Sequence, residues 1–401
     1  MIRDTVPAEE LWNKARAVSQ YYGFTPLSEL TEKTRGLHKK EASANPATLD
    51  SVSLDPVAET VASFLRQCRE GGLALPNRQP LFIWHTNIAP GPLRRSSSEA
   101  SRPVQKKVTV QFHAFGADRA LTDAVVIRAL MTLVRDLFHE EPVLRVNSMG
   151  DKETRARYAR ELSNFFKKRA CNLPEDCLSC AKRDTLEAAG LLIAPAGGTA
   201  SVGRDYADEL PAPTEHLSDS SRKRFEDLLE YLEMTDTPYE LARTLFSRGG
   251  AWNDLCFEIL TGGRRIAWGS RYGEFLHHFF PGGPQSATAA ILQLSASGTV
   301  AAKSRHSRVR FSFVHIGDEA KRLSIRLAED FHRARVSLSQ HIGVESLIDQ
   351  LNLAERQGSP YLLIMGRKEA LESSVILRNR HTQEEISLPL AGLTERLKAI
   401  A

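Results

Sequence analysis

Apolar residues recur at helical spacing in several segments of the chain. Leu11, Ala15 and Val18 share one face of a predicted helix over residues 8–22. Residues 28–50 are polar and show no such spacing, which predicts a loop. The same helical spacing predicts further helices over residues 57–68, 122–138, 152–169 and 218–234.

Short apolar runs lie between these helical segments and predict strands. The runs are residues 81–84, 108–112, 143–146, 256–260 and 265–268. Between the first two runs, residues 90–107 are rich in proline, serine and arginine, and contain almost no apolar residue. This composition predicts an exposed loop that joins two strands.

The pattern becomes regular beyond residue 310. The polar and basic run over residues 303–308 indicates a domain boundary before it. Strands that alternate with helices predict a compact α/β domain with a mostly parallel sheet. The predicted elements are strands over residues 311–316, 336–338 and 361–365, helices over 319–333 and 346–357, a hairpin-like pair near 375–378 and 385–388, and a last helix from Leu390.

Composition narrows the class of protein. A chain of 401 residues with 42% hydrophobic and 25% charged residues is expected to form two or three globular domains. Its net charge of +4 permits a nucleic-acid partner without requiring one. Five cysteines, an odd number, do not suggest a secreted disulfide framework. With no apolar run near the roughly 18 residues of a membrane span, we expect a cytoplasmic protein with no membrane partner.

Several short motifs follow one another in a fixed order. In the first 300 residues they are Phe-Gly-Ala-Asp at 115–118, Asp-Ala-Val-Val-Ile at 123–127, Leu-Arg-Val-Asn-Ser-Met-Gly-Asp at 144–151, Cys-Leu-Ser-Cys at 177–180, Thr-Pro-Tyr-Glu at 237–240, Arg-Gly at 248–249 and Gly-Ser-Arg-Tyr at 269–272. In the last 90 residues they are His-Ile-Gly-Asp-Glu-Ala at 315–320, Ser-Leu-Ile-Asp-Gln-Leu at 346–351 and Ile-Met-Gly-Arg-Lys-Glu at 364–369. In this order they resemble the histidyl-tRNA synthetases, which are class II aminoacyl-tRNA synthetases.

The resemblance implies an α+β fold in two parts. Residues 1–302 would form the class II core, an antiparallel sheet flanked by helices, with a helical insertion at about 152–235. Residues 303–310 would be a linker. Residues 311–401 would form an α/β domain of the anticodon-binding type. The resemblance also implies a homodimer and tRNA as a partner.

The chemistry of this family needs fixed positive charge at the α-phosphate of ATP, because preorganised cations stabilise the developing charge. The family supplies one arginine on its motif 2 strand, one on its motif 3 helix and one in an Arg-Gly-Leu-Asp-Tyr-Tyr segment. Here residues 82–89 contain no arginine, and residues 284–295 lack the glycines and the arginine. Arg248 matches the third position and is the one catalytic candidate, either as a vestigial substrate residue or as a structural salt-bridge partner.

The amino-acid pocket that the resemblance implies is altered as well. The family's Arg-Pro-Glu-Gly-Thr corresponds to Asp-Pro-Val-Ala-Glu at 55–59, and its Asp-Tyr-Tyr to 250–253 with a gap of one residue. His113 replaces the carboxylate that holds the substrate ammonium in the family. Arg271 and Tyr272 keep the substrate-binding Arg-Tyr pair. A pocket that recognises histidine through buried polar partners loses that ability without them, so we predict a degenerate active site.

Three functions compete on this basis. The leading hypothesis is a non-catalytic relative that binds tRNA or a protein. The second is a divergent but active histidine--tRNA ligase, which would use ATP and magnesium. The third is a regulatory subunit of an ATP phosphoribosyltransferase, although such subunits lack the anticodon-binding domain.

Two further groups of residues are candidates for binding. The basic side chains around the loop and the linker are candidates for RNA phosphates, or for a solvated face: Arg94, Arg95, Arg102, Lys106, Lys107, Arg305 and Arg308. Cys171, Cys177 and Cys180 offer three thiolates, with His216 as a distant fourth ligand. A structural zinc ion takes four ligands, so free thiols in a helical hairpin are the competing interpretation, and we predict no metal site.

Overall fold

Two sheets organise the molecule, of nine and of five strands. The computed structural model describes residues 5–34, 56–75, 80–89, 106–116, 120–171, 173–193, 209–245, 252–297 and 309–400. The larger sheet draws its strands from residues 5–297, and the smaller sheet from residues 311–389. The α+β class is therefore confirmed, with a large sheet first and a separate sheet domain at the C-terminal end.

The larger sheet is mainly antiparallel in its centre. Its neighbouring strands follow the order β2-β3-β4-β9-β8-β7-β5-β6, and β1 pairs with β9. The strands are β1 (Thr5–Pro7), β2 (Thr25–Pro26), β3 (Leu81–Ala89), β4 (Lys106–Phe115), β5 (Val143–Ser148), β6 (Tyr239–Leu241), β7 (Asn253–Thr261), β8 (Arg264–Arg271) and β9 (Ala287–Ser297).

Helices cover both faces of this sheet. They are α1 (Ala8–Tyr21), α2 (Leu27–Thr34), α3 (Pro56–Glu70), α4 (Ala120–Phe138), α5 (Lys152–Lys168), α6 (Glu175–Ala181), α7 (Thr185–Ile193), α8 (Asp219–Met234) and α9 (Gly273–Leu276). The helix α4 is buried along nearly its whole length, because it lies between the sheet and the helices α1 and α8. That position explains its run of apolar residues with few polar interruptions.

The helix α5 begins with a hydrogen-bonded cap. The Asp151 carboxylate accepts a hydrogen bond of 2.9 Å from the backbone N–H of Thr154, and it also accepts bonds from the hydroxyls of Ser218 and Ser220. Partial burial opposes ionisation of this carboxyl, but these bonds outweigh it and lower the pKa of Asp151 to about 2. The cap thus joins the start of α5 to the start of α8.

The smaller sheet has the order β11-β10-β12-β13-β14. Its strands and helices are β10 (Phe311–His315), α10 (Asp318–Arg333), β11 (Leu338–Gln340), α11 (Leu347–Arg356), β12 (Tyr361–Met365), α12 (Arg367–Leu371), β13 (Ser374–Asn379), β14 (Glu385–Pro389) and α13 (Leu393–Ile400). Only β10 pairs in parallel, with β11 and β12, while β12, β13 and β14 are antiparallel. The prediction of a mostly parallel sheet was wrong, because the short connection through α12 cannot make a parallel crossover.

The structure corrects two further sequence predictions. Part of the predicted loop over residues 28–50 is the helix α2, whose Leu27 and Leu30 pack against the core despite the polar composition around them. Lys106 and Lys107 are not loop residues, because β4 begins at Lys106 and Lys107 pairs with Ala89 at the far end of β3. Cross-strand pairing extends both strands beyond their apolar cores.

The two sheets are joined within the chain by an ionic cluster around one buried carboxylate. Arg128 of α4 donates to the carboxylate of Glu329 on α10, and both side chains are less than a tenth exposed. Arg135 and Arg333 bind the other oxygen of the same carboxylate. We call these four residues the Glu329 cluster. Nearby, the Tyr21 hydroxyl donates to the Val336 carbonyl at 2.7 Å.

We predict that Glu329→Ala destabilises the whole chain. The substitution leaves Arg128 buried without its carboxylate, and removal of one partner of a buried pair costs about 3–5 kcal/mol. Urea unfolding measures this change. The control is Glu355→Ala, which removes an exposed partner of Arg380 and should cost less than about 1 kcal/mol. Equal losses in the two variants would contradict a structural role for the cluster.

Candidate active site

The strand β4 directs its side chains alternately to two different cores. Phe112 and Ala114 belong to the core that contains α1 and α4, whereas Phe115 packs with α3. His113 lies on the α3 side, where its ring stacks on Phe64. Since successive residues of a strand point to opposite faces, the pairing of β4 with both β3 and β9 fixes which side chains face α3.

His113 is the centre of the α3 side. Its ring lies 3.7 Å from the Phe64 ring, centroid to centroid, with the planes within 3° of parallel. Its Nδ1 is 2.8 Å from the Tyr272 hydroxyl, and its Nε2 is 3.0 Å from Oε1 of Gln111. Burial, together with the neighbouring His85, lowers the pKa of His113 well below its ordinary value. The imidazole is therefore neutral at physiological pH.

Aromatic rings enclose this imidazole. We call the group Phe64, His113, Phe115, Trp252 and Tyr272 the aromatic cluster, and every member is at most 2% exposed. Tyr272 meets His113 edge to face at 5.8 Å, and Trp252 meets Tyr272 in the same manner at 6.4 Å. Burial raises the pKa of Tyr272 well above its ordinary value. All five side chains are thus uncharged, and their surroundings disfavour an ion.

His85 of β3 lies at the margin of the aromatic cluster. Its ring is 5.9 Å from that of Phe64, and its side chain is partly buried. Burial lowers the pKa of His85 to about 4. His85 therefore adds a second neutral imidazole to the site, on the strand that the resemblance identifies with motif 2.

Arg271 and Tyr272 are adjacent in sequence but point in different directions. Arg271 is buried, donates to the Ser286 hydroxyl and approaches Asp123 of α4 at 3.7 Å. Asp123 also accepts a hydrogen bond from Thr288. Burial raises the pKa of Asp123, while Arg271 and Thr288 oppose the rise. Arg271 therefore faces α4 and Tyr272 faces His113, and a substrate-binding role for the pair stays a prediction.

Two strands carry the segments from which the family's phosphate-binding arginines would come. Every residue of β3, Leu-Phe-Ile-Trp-His-Thr-Asn-Ile-Ala, is uncharged or a histidine. The strand β9 continues to Ser297, and its last residues pair with β1. In the family that this chain resembles, this segment contains a helix with an arginine. Here the segment is a strand as far as Ser297, the last described residue before residue 309.

Most of the other candidate residues lie outside the described residues. These are the catalytic candidate Arg248 and the RNA candidates Arg94, Arg95, Arg102, Arg305 and Arg308. Lys106 opens β4, and Lys107 is exposed one residue further on. The structure therefore brings together His113 and Tyr272 of the sequence candidates, and it leaves the RNA-binding hypothesis as a prediction.

Two of the three cysteines proposed as zinc ligands pack in a helical core. Cys177 and Cys180 are buried among residues of α5, α6 and α7, while Cys171 is exposed. Burial raises the pKa of both buried thiols. His216 lies beside Tyr158, with 6.0 Å between the ring centroids. Within the described ranges, no group of three or more cysteine, histidine or acidic side chains could hold a metal ion.

Sequence reasoning missed two residues that build the site. Phe64 lies on the predicted helix over 57–68, but nothing local to it indicates that it stacks on a residue of β4. Gln111 precedes His113 by two positions, so the alternation of a strand could have placed both on one face. Only the pairing of distant segments shows that these groups converge.

Comparison with known proteins places these observations in a wider context. Residues 311–400 match the family model of the anticodon binding domain. A histidine--tRNA ligase of a Geobacillus species is 25% identical, with 99% of this chain and 97% of that protein covered. The histidine--tRNA ligase of Thermosipho melanesiensis is also 25% identical, with 94% and 91% covered.

Two solved structures match this chain over most of its length. Apo histidyl-tRNA synthetase of S. aureus has a TM-score of 0.46 and 18% identity, with 99% of this chain and 98% of that one covered. A protein of Bacillus halodurans described as an ATP phosphoribosyltransferase regulatory subunit/histidyl-tRNA synthetase has a TM-score of 0.38 and 15% identity, with 91% and 96% covered.

No described helix has both the length and the apolar character that crossing a membrane requires.

We predict that acid destabilises the fold because His85 takes up a proton when the chain unfolds. His85 has a pKa of about 4 in the folded chain against 6.5 when unfolded, so the unfolded chain binds more protons between these values. The contribution of His85 to the free energy of unfolding is therefore greatest above pH 6.5, and it is lost as the pH falls toward 4. Urea unfolding across this range measures the loss.

The variant His85→Asn should lose less stability over the same pH range, because it removes one of the groups that takes up a proton on unfolding. The matched control is His278→Asn at an exposed position, whose pH dependence should equal that of the wild type. An identical acid response in wild type and His85→Asn would show that His85 does not carry this effect.

Proposed function

We propose, from the premise that this chain belongs to the histidyl-tRNA synthetase family, that it binds tRNA without aminoacylating it. The C-terminal domain would hold the anticodon region, and the core would lack adenylation activity. In keeping with the family, we propose a homodimer in the cytoplasm. A protein partner remains an outcome of the binding experiments described below.

The observation that carries the proposal is the neutral and aromatic character of the α3 face. The resemblance puts a carboxylate for the substrate ammonium at residue 113, and this position holds a buried, neutral imidazole instead. A substrate ammonium has no counter-charge there. Unpaired buried charge is strongly unfavourable, so free histidine would be excluded by its own charge.

The electrostatics of the phosphate-binding strands support the same conclusion. Adenylation needs preorganised cations at the α-phosphate, and loss of one such donor costs about 10²–10³-fold in rate. β3 has no arginine, and β9 is still a strand at Ser297. Two losses of this size would reduce adenylation by roughly 10⁴-fold or more. Arg248 alone would not supply the remaining stabilisation.

The alternative, a divergent and active ligase, predicts a measurable first reaction step. We expect the purified full chain to show no pyrophosphate exchange that depends on ATP, magnesium and histidine, because neither the ammonium nor the triphosphate is held. An active histidine--tRNA ligase assayed in parallel provides the reference rate. Exchange within about 10²-fold of that reference would contradict the proposal and favour the ligase.

Binding of tRNA is expected to depend strongly on salt, because neutralised phosphates release counterions. If Arg94 and Arg95 contact the RNA, the variant R94A/R95A weakens binding and lowers the slope of log K against log salt by about 1.4, at about 0.7 per lost contact. Electrophoretic mobility shifts across a salt series measure this slope.

The matched control is R264A/R265A, which removes the same charge from the start of β8 and should leave the slope unchanged. Affinity of the wild type that does not vary with salt would contradict the proposed mode of RNA binding. Stable co-purification with a phosphoribosyltransferase, with no tRNA bound, would instead favour the regulatory-subunit function.

A further inference from the structure

The aromatic cluster and the neighbouring Gln111 provide a stacking face and a partner for each ring nitrogen of a neutral imidazole. Phe64 covers one face of the His113 ring, with nearly parallel planes. The two ring nitrogens have hydrogen-bond partners at 2.8 Å and 3.0 Å. Since Oε1 of Gln111 only accepts, Nε2 carries the proton and Nδ1 accepts the hydrogen bond from the Tyr272 hydroxyl. The donor, the acceptor and one face of the His113 imidazole therefore each have a partner.

We propose that the aromatic cluster is an imidazole-binding site that the chain fills with its own side chain at position 113. The cluster thereby acts as a closed pocket, and a free imidazole-bearing molecule such as histidine is excluded because the His113 ring already occupies the pocket. The inference rests on the proposed function in one respect, namely that this cluster lies where the resemblance puts the substrate pocket.

The backbone keeps the internal ligand in place. His113 is paired with Ile83 of β3 on one side and with Ala289 of β9 on the other. The strand cannot move away from the cluster without breaking both ladders. The imidazole can leave only by rotation of its own side chain, against the stacking on Phe64 and two buried hydrogen bonds.

His315 is a second buried histidine, and its ring has no comparable set of partners in the part of the chain that the structure describes. His315, at the end of β10, is fully buried, and burial lowers its pKa to about 3. Among the described residues, neither of its ring nitrogens has a hydrogen-bond partner. His113 and His315 are thus equally buried and neutral, but only His113 is matched by partners on both nitrogens.

The test removes the imidazole ring of His113 or of His315 by substitution with alanine and then measures the binding of free imidazole. In the full chain, His113→Ala leaves the stacking face, the hydroxyl and the amide without their ligand, while His315→Ala leaves a cavity without matched polar partners. We expect imidazole to raise the thermal midpoint of H113A saturably, and to bind it at least about tenfold more tightly than H315A, as two added hydrogen bonds imply. Calorimetric titration measures both affinities.

Thiophene serves as the apolar probe of the same shape. It can fill a cavity but can neither donate nor accept as imidazole does, so it should not discriminate between the two variants. Equal imidazole affinities for H113A and H315A, or no binding to H113A, would overturn the proposal. The double variant H113A/Y272F tests the contact with the Tyr272 hydroxyl. Loss of this hydroxyl should weaken imidazole binding by about tenfold relative to H113A.

A measurement on the wild type keeps the inference testable if H113A does not fold. Nitrogen-15 spectra of the histidine rings should show His113 as the neutral Nε2–H tautomer, unchanged between about pH 7 and about pH 5. A titrating ring, or the other tautomer, would overturn the assignment. Pyrophosphate exchange by the wild type would contradict the proposed function and the exclusion of free histidine. A wild type without exchange whose H113A variant does not bind imidazole would contradict only the assignment of the cluster as an imidazole-binding site.

Discussion

The double pairing of β4 is the constraint on which the core depends. This strand is hydrogen-bonded to β3 along one edge and to β9 along the other, so its register cannot shift without breaking two ladders. A slip of one residue would move Phe112 to the α3 side and His113 into the core with α1 and α4. The composition of each core, one around α1 and α4 and the other around α3 with a buried imidazole, follows from this register.

Much of the fold could be predicted from the sequence, because its longer elements are strongly periodic. The helices over 8–22 and 122–138, and the strand over 361–365, agree with the structure to within two residues. The helix α2 was missed because its stabilising contacts, through Leu27 and Leu30, are with distant residues. The parallel sheet was predicted from alternation alone, which does not reveal that β13 returns antiparallel to β12.

The candidate site was predictable only in part. The replacement of a carboxylate by His113 is visible in the sequence through the resemblance, and so is the absence of arginine from β3. The aromatic cluster is not visible, because Phe64 and Tyr272 are far from His113 along the chain and converge only through sheet pairing and the packing of α3. Arg271 is a candidate by its motif, yet its guanidinium faces Asp123 on the other side of the sheet.

The Glu329 cluster has a consequence for how the molecule would meet a long ligand. Through Arg128 and Arg135 on α4 and Glu329 on α10, the two sheet domains are in direct contact at a buried carboxylate. The distance between the core and the C-terminal sheet is then a property of the protein. A nucleic acid that contacts both the core and the C-terminal sheet would have to fit this distance or bend to fit it. The protein would therefore select nucleic acids by their length and curvature.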